Sequence, residues 1–360
     1  MKKFYILFFF LLTAGCTSRI DLHSGEPENL LVLNARLRTD EEWHRVEVYM
    51  STLREGSCQY IDDAKIDVYI NGNYLCQAQY YTYETFPDRP ANDYHQMFKY
   101  GFFAGYYFEA VLGEGDVIKI EVSRGGLSAW AEATVPRAVE LVSVDTLTVK
   151  ENPYFDGSDA LECRLRLRDV PLEDNWMRLL LDYHVDDLAH YEGAPDTLIT
   201  YQNIYDFPVY FDDDPYLRGD FHSSREQSAI QQTSLNLPLV TNKYFIFTDE
   251  GFRNSEYTAL VYLRTNSFYN PLPAPFNFTF NSRLTFRLLT FSRDEYLFYR
   301  AYTNASINGT LSSGIASQIL FEPVTFPSNV EGGLGFVCVE AASSVVFDFS
   351  REIPAMVPTM

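Results

Sequence analysis

The chain has 360 residues, with 49 acidic against 28 basic side chains and a formal net charge of −21. So acidic a surface argues against nucleic acid or anionic lipid as a partner, because both select a basic face. The length exceeds that of one ordinary sandwich, which sets an expectation of two domains.

The first stretch gives an address. Lys2 and Lys3 precede the apolar run FYILFFFLL, residues 4–12. That run falls short of the roughly 20 residues a membrane-spanning helix needs. With Ala14-Gly15 before Cys16, it has the form of a secretory leader. The arrangement resembles the bacterial lipobox, with Thr13 where an aliphatic residue is usual. Residues 1–15 are therefore expected to be a signal peptide and Cys16 the site of lipidation. The polar, aperiodic residues 16–29 read as the lipidated tether. Loss of residues 1–15 removes two lysines and no acid, taking the formal charge to −23. Thr17, rather than Asp, after the cysteine favours the outer membrane and leaves its periplasmic or surface face open.

From 30 to 137 short alternating segments follow one another: LLVLNARLR, HRVEVYMST, KIDVYI, NYLCQAQYY, GYYFEAVL, DVIKIEVSR and LSAWAEATV. Asn71-Gly72 marks a two-residue hairpin. Six or seven strands in about a hundred residues, with no helical period, predict an immunoglobulin-like β-sandwich closed by Pro136. Within it, residues 80–108 carry twelve aromatic residues. Successive side chains of a strand face opposite sides, so some of Tyr80, Tyr81, Tyr106 and Tyr107 are expected to face outward. There they would form a candidate surface for a protein partner or a glycan; the alternative is that they cover the neighbouring domain.

Residues 138–360 are expected to form a second, larger β-rich domain with strands near 139–149, 161–168, 176–185, 234–240, 243–247, 257–264 and 283–291. Ser292 and Glu295 form a capping box that opens a helix near 293–307, and a strand is expected around Cys338. The fold class is thus all-β, an immunoglobulin-like sandwich followed by a larger sandwich-type domain with one α-helix.

Four cysteines remain after Cys16. Their two-and-two distribution fits disulfides Cys58–Cys76 and Cys163–Cys338 in an exported chain, and it equally fits four small buried hydrophobes. Their spacing matches no zinc site. His184 and His190 with Asp186 and Asp187 read as solvated loop residues, as do Asp212, Asp213, Asp214 and Asp220. No nucleophile elbow, metalloprotease helix or phosphate loop is present, so no catalytic residue, metal or cofactor is expected.

LVLNARL, GDVIKIEVSRGGLSAWAEATVP, FIFTDEGFRNSEYTALVYL, LLTFSRDEYLFYRAY and EPVTFPSNVEGGLGFV, in that order, resemble the domain of unknown function 4249 family of Bacteroidetes lipoproteins. The resemblance implies an exported, lipid-anchored, all-β protein often encoded beside TonB-dependent receptors, and it supplies no catalytic residue. The expected role is a non-enzymatic outer-membrane lipoprotein, an accessory binding module with a TonB-dependent transporter and a glycan or peptide ligand. A pilus-type adhesin subunit and a glycan-active hydrolase are the alternatives.

Overall fold

The structure, a computed structural model, describes residues 30–51, 58–82, 85–87, 104–152, 157, 160–190, 195, 197–204, 209–211, 214–222, 241–264, 277–310 and 326–353. The first strands are β1 (Leu31–Arg38), β2 (Trp43–Ser51), β3 (Cys58–Tyr60), β4 (Lys65–Ile70), β5 (Asn73–Gln77), β6 (Gln79–Tyr81), β7 (Gly105–Glu109), β8 (Val117–Arg124) and β9 (Leu127–Thr134). Then come β10 (Glu140–Val149), β11 (Ala160–Arg168), β12 (Trp176–His190), β13 (Thr197–Ile204) and the one-turn helix α1 (Pro215–Arg218). The chain continues through β14 (Ile246–Thr248), β15 (Glu256–Arg264), β16 (Asn277–Phe291), helix α2 (Arg293–Thr310), β17 (Val330–Glu331) and β18 (Leu334–Ile353). The architecture is all-β, with α2 as its long helix among the described residues. The expected strand at 234–240 lies outside them.

A ten-stranded sheet runs in the order β13-β12-β16-β18-β1-β2-β7-β6, with β14 against β12 and β3 against β2. On one face of it sit two smaller sheets. The five-stranded β17-β9-β8-β4-β5 encloses a core that includes Leu33, Val46, Val48, Ile66, Ile120 and Val337. The three-stranded β10-β11-β15 encloses a second core with Leu165, Leu167, Leu179, Leu181, Phe286 and Leu288. Each such side chain contributes about 1.5–3 kcal/mol by leaving water. The hairpin at Asn71-Gly72 forms with both residues at positive φ, 52° and 76°, as a two-residue turn requires.

The two cores do not divide the chain at residue 137. β18 is 20 residues long, and its halves serve different cores. Val337, Val339 and Ala341 face the first core, while Val345 and Phe347 pack against the second. Its first half pairs in parallel with β1, from Val32↔Leu334 to Arg38↔Glu340, and its second half pairs antiparallel with β16. β17 pairs with β9. Sequence periodicity tells which face of a strand is buried but not which strand lies beside it, so this exchange was not visible in the alternation. Glycines permit the approach. Gly335 sits at φ +116°, and a Cβ there would stand 2.1 Å from the Leu33 carbonyl oxygen.

Candidate functional site

The other face of the ten-stranded sheet carries the second member of each alternating pair: Asn34, Arg36 and Arg38 from β1, Cys338 and Glu340 from β18, Arg178 from β12, Arg287 from β16. Charged residues on such a face are expected to be solvated. Here α2 packs over part of the face: Arg178, Cys338 and Glu340 are buried, while Arg36 stays exposed. Its start is fixed by Ser292, whose Oγ accepts the Glu295 N–H at 3.2 Å. Tyr299 of the helix then packs with Leu180, Phe221, Ile246, Leu289 and Phe291.

Beneath α2 the polar groups converge on one atom. The Tyr299 hydroxyl accepts from Arg36 Nη1 at 2.9 Å and from Arg178 Nη1 at 3.2 Å, and donates to Glu340 Oε1 at 3.3 Å. The Arg178 guanidinium lies 5.3 Å from the Tyr299 ring centre, and its Nε donates to the Tyr244 carbonyl at 3.0 Å. Arg38 Nε stands 4.0 Å from Glu340 Oε2, while its other nitrogens engage Asp40 at 2.6 Å and Glu41 at 3.2 Å. Arg287 engages Asp182 at 2.6 Å. Only half of the capping box forms: the Glu295 carboxyl, 1% exposed, turns inward toward Glu340 and Cys338.

This arrangement sets the local chemistry. Burial, and then the Glu340 charge, hold the Glu295 carboxyl well above the ordinary carboxylate range. Burial, with the Glu295 and Glu340 charges, pushes the Cys338 thiol up, and burial pushes the Tyr299 phenol up. A thiol kept protonated is a poor nucleophile. Among the described residues no group of three His, Cys, Asp or Glu could hold a metal ion. The cluster can hold and share a proton. Sequence reasoning missed it; the available signal was a lone acid, Glu340, between Val339 and Ala341 in an otherwise apolar run, with Arg38 opposite it on β1 and Arg36 opposite Cys338.

The aromatic candidates are placed differently from expectation. Tyr106 and Tyr107 point to opposite faces of the sheet, yet both are buried, at 2% and 4% exposure. The Tyr106 hydroxyl accepts the Ala64 N–H at 2.6 Å in the first core. Tyr107 is capped from outside by the chain's own rings: Phe86 at 5.1 Å and Tyr81 at 6.4 Å between centroids. Trp43 closes over Phe86 at 4.9 Å. Tyr80 and Tyr81 are half-buried. Neither Tyr106 nor Tyr107 is therefore an outward-facing residue; a returning loop supplies the cover.

Exposed aromatics occur instead on the outer face of the five-stranded sheet. Trp130 of β9 and Tyr74 of β5 are open to solvent, with Lys119 of β8 and Tyr69 of β4 between them. Lys119 Nζ is 4.7 Å from the Trp130 ring centre and 2.7 Å from Glu121, and Tyr69 meets Tyr74 edge to face at 5.6 Å.

The remaining candidates separate cleanly. Cys163 and Cys338 are free thiols, so the expected bridge between them does not form: Cys163 lies in the second core, and Cys338 faces α2 across the central sheet. Cys76 is also free, and the Cys58 side chain lies outside the described residues. His184 pairs with Asp186 at 3.0 Å, and His190 bonds Thr279. Asp214 is no solvated turn residue. It is buried, and it accepts from Tyr216 N, Leu217 N, the Tyr257 hydroxyl and Leu260 N. Cys16 and the tether lie outside the described residues, and among those residues no helix is long and apolar enough to cross a membrane.

Compared with known proteins, residues 17–345 match a family model described as Domain of unknown function (DUF4249). A search of curated proteins finds no match. The family match spans most of the chain, which belongs to that family.

Proposed function

We propose that this member of the DUF4249 family is a lipid-anchored, non-enzymatic binding module of the bacterial outer membrane, acting beside a TonB-dependent transporter. The observation that carries the anchoring is the N-terminal order Lys2-Lys3, a nine-residue apolar run, Ala14-Gly15 and Cys16. Several acyl chains on one cysteine hold a protein far more firmly than a single chain, which anchors only marginally. Export also explains the acidic body, which is repelled by an anionic surface and stands off it on the tether.

Binding rather than turnover is supported by where the chemistry lies. The two acids of the cluster beneath α2, Glu295 and Glu340, are buried between helix and sheet, so they are placed to hold the fold. The solvent meets Trp130, Lys119 and Tyr74 on an exposed sheet face, residue types suited to recognition. Proximity to a TonB-dependent transporter rests on the family resemblance.

Substituting Cys16→Ser tests the anchor. The variant should keep its folded body, and either leave the membrane fraction or accumulate as uncut precursor. A variant that is cut at the same place and remains equally membrane-bound overturns the lipoprotein reading. Capture of a TonB-dependent receptor from detergent-solubilised outer membranes tests the partner; recovery of none with the wild-type protein removes it.

A further inference from the structure

Neither carboxyl oxygen of Glu295 meets an N–H or O–H donor, and Glu340 Oε2 lacks one too. The nearby donors are engaged elsewhere. From β1, Arg36 donates to the Tyr299 hydroxyl, as does Arg178 from β12. Tyr299, on the helix itself, gives its proton to Glu340 Oε1. From β18, the Cys338 thiol points to the Ala35 carbonyl at 3.7 Å. The outer ring is held mostly by its own acids, Arg38 by Asp40 and Glu41 and Arg287 by Asp182 and Asp40, with Arg38 Nε reaching Glu340 Oε2 only at 4.0 Å. An ionised carboxylate buried without a donor is costly enough that such a group takes up a proton instead.

We infer that Glu295 carries a proton that it shares with Glu340, and that this proton is the latch fastening α2 to the central sheet. With the proton in place, one carboxyl donates and the other accepts, so Glu340 Oε2 and one oxygen of Glu295 gain a partner. Without it, two like charges face each other beneath the helix. Arg36 is close enough to oppose this, but its effect on Glu295 is smaller than that of burial and of Glu340. Raising the pH therefore lifts the helix and uncovers the aromatic seam of Tyr244, Phe291 and Tyr299. The latched form binds the proton more tightly than the open form. Latching is complete below the ordinary carboxylate range, and it weakens as pH rises toward the elevated value in the closed state. Across that window each pH unit multiplies the opening constant by about ten.

Hydrogen exchange read by mass spectrometry on the full chain, from pH 5 to 8.5 and corrected for the base-catalysed intrinsic rate, tests it. In the wild type, opening of α2 peptides should rise steeply with pH, by up to about tenfold per unit, while β8–β9 peptides stay flat. Glu295→Gln mimics the protonated acid, and its α2 should remain protected at pH 8 with no slope. A flat wild-type profile, or a wild-type slope kept in Glu295→Gln, overturns the latch. Should that variant fail to fold, the wild type still decides by infrared spectroscopy: a protonated carboxylic-acid carbonyl band must be present at neutral pH, and its absence overturns the proposal.

Discussion

Because β18 completes both cores, the two sandwiches should unfold together, and one glycine can test this. Gly335 lies where β18 begins to run beside β1, at φ +116°, with the position of a Cβ 2.1 Å from Leu33 O and 2.8 Å from Asn34 Oδ1. In Gly335→Ala the methyl group strains the backbone by about 1–3 kcal/mol. It also parts the β1–β18 ladder, including the Phe336 N–H bond to Asn34 Oδ1 at 3.0 Å; each bond lost there costs about 0.5–1.5 kcal/mol. A total of about 3–5 kcal/mol should lower Tm by roughly 6–10 °C, taking about 2 °C per kcal/mol for a body of this size.

Three tryptophans make the assay local: Trp43 and Trp130 report on the first sandwich and Trp176 on the second. Single-tryptophan versions retaining Trp130 or Trp176 should melt at one shared midpoint. Gly335→Ala should move both midpoints equally. If Trp130 shifted while Trp176 kept the wild-type transition, the sandwiches would be independent domains, and the argument from a shared strand would fail.

The aromatic region gives a second test, by thermal unfolding of alanine variants. Tyr106→Ala and Tyr107→Ala should each cost about 3–5 kcal/mol, as buried large-to-small changes do, whereas half-buried Tyr81 should cost less. Tyr106→Phe should still cost about 1–3 kcal/mol by leaving the Ala64 N–H unpaired. In urea, Asp214→Asn should lower the midpoint by an amount equivalent to about 2–3 kcal/mol with an unchanged m-value, because it disturbs four hydrogen bonds to a buried charge.

What could be read from the sequence was local. Asn71-Gly72 declared its hairpin because the turn needs two positive-φ residues, and the strands of 140–168 and 176–190 declared themselves by alternation. Ser292 announced the helix start, and α2 begins at Arg293. What could not be read was pairing across the chain. Nothing in EGGLGFVCVEAA shows that its strand joins β1, some 300 residues earlier. The same blindness affected the site. A capping box predicts that Glu295 turns back to its own helix end; the sheet beneath supplied Glu340 instead, and tertiary contact overrode the local motif. It also affected the cysteines, since an even count says nothing about a sheet lying between Cys163 and Cys338.

The segments that carry the family resemblance now have mechanical roles. In FIFTDEGF, Asp249 accepts from both the backbone N–H and Nδ2 of Asn175 at 3.0 Å, and Phe252 stacks on Tyr257 at 4.9 Å. In SRDEYLFYRAY, Ser292 caps the helix and Glu295 and Tyr299 enter the seam. In EPVTFPSNVEGGLGFV, Asn329 bridges Val337 and the Glu132 carbonyl, tying β17 and β18 to β9, and Gly335 admits β1. All three act at the joints between helix, central sheet and loops, and none contributes Trp130, Lys119, Tyr69 or Tyr74. Trp130 and Lys119 do fall in the resembling GDVIKIEVSRGGLSAWAEATVP, but as the outward members of strands whose inward members build the first core. The frame and the exposed face thus use different residues of the same strands. Outward positions can therefore be exchanged one by one to map a partner, while the inward pattern and the proton beneath α2 are left in place.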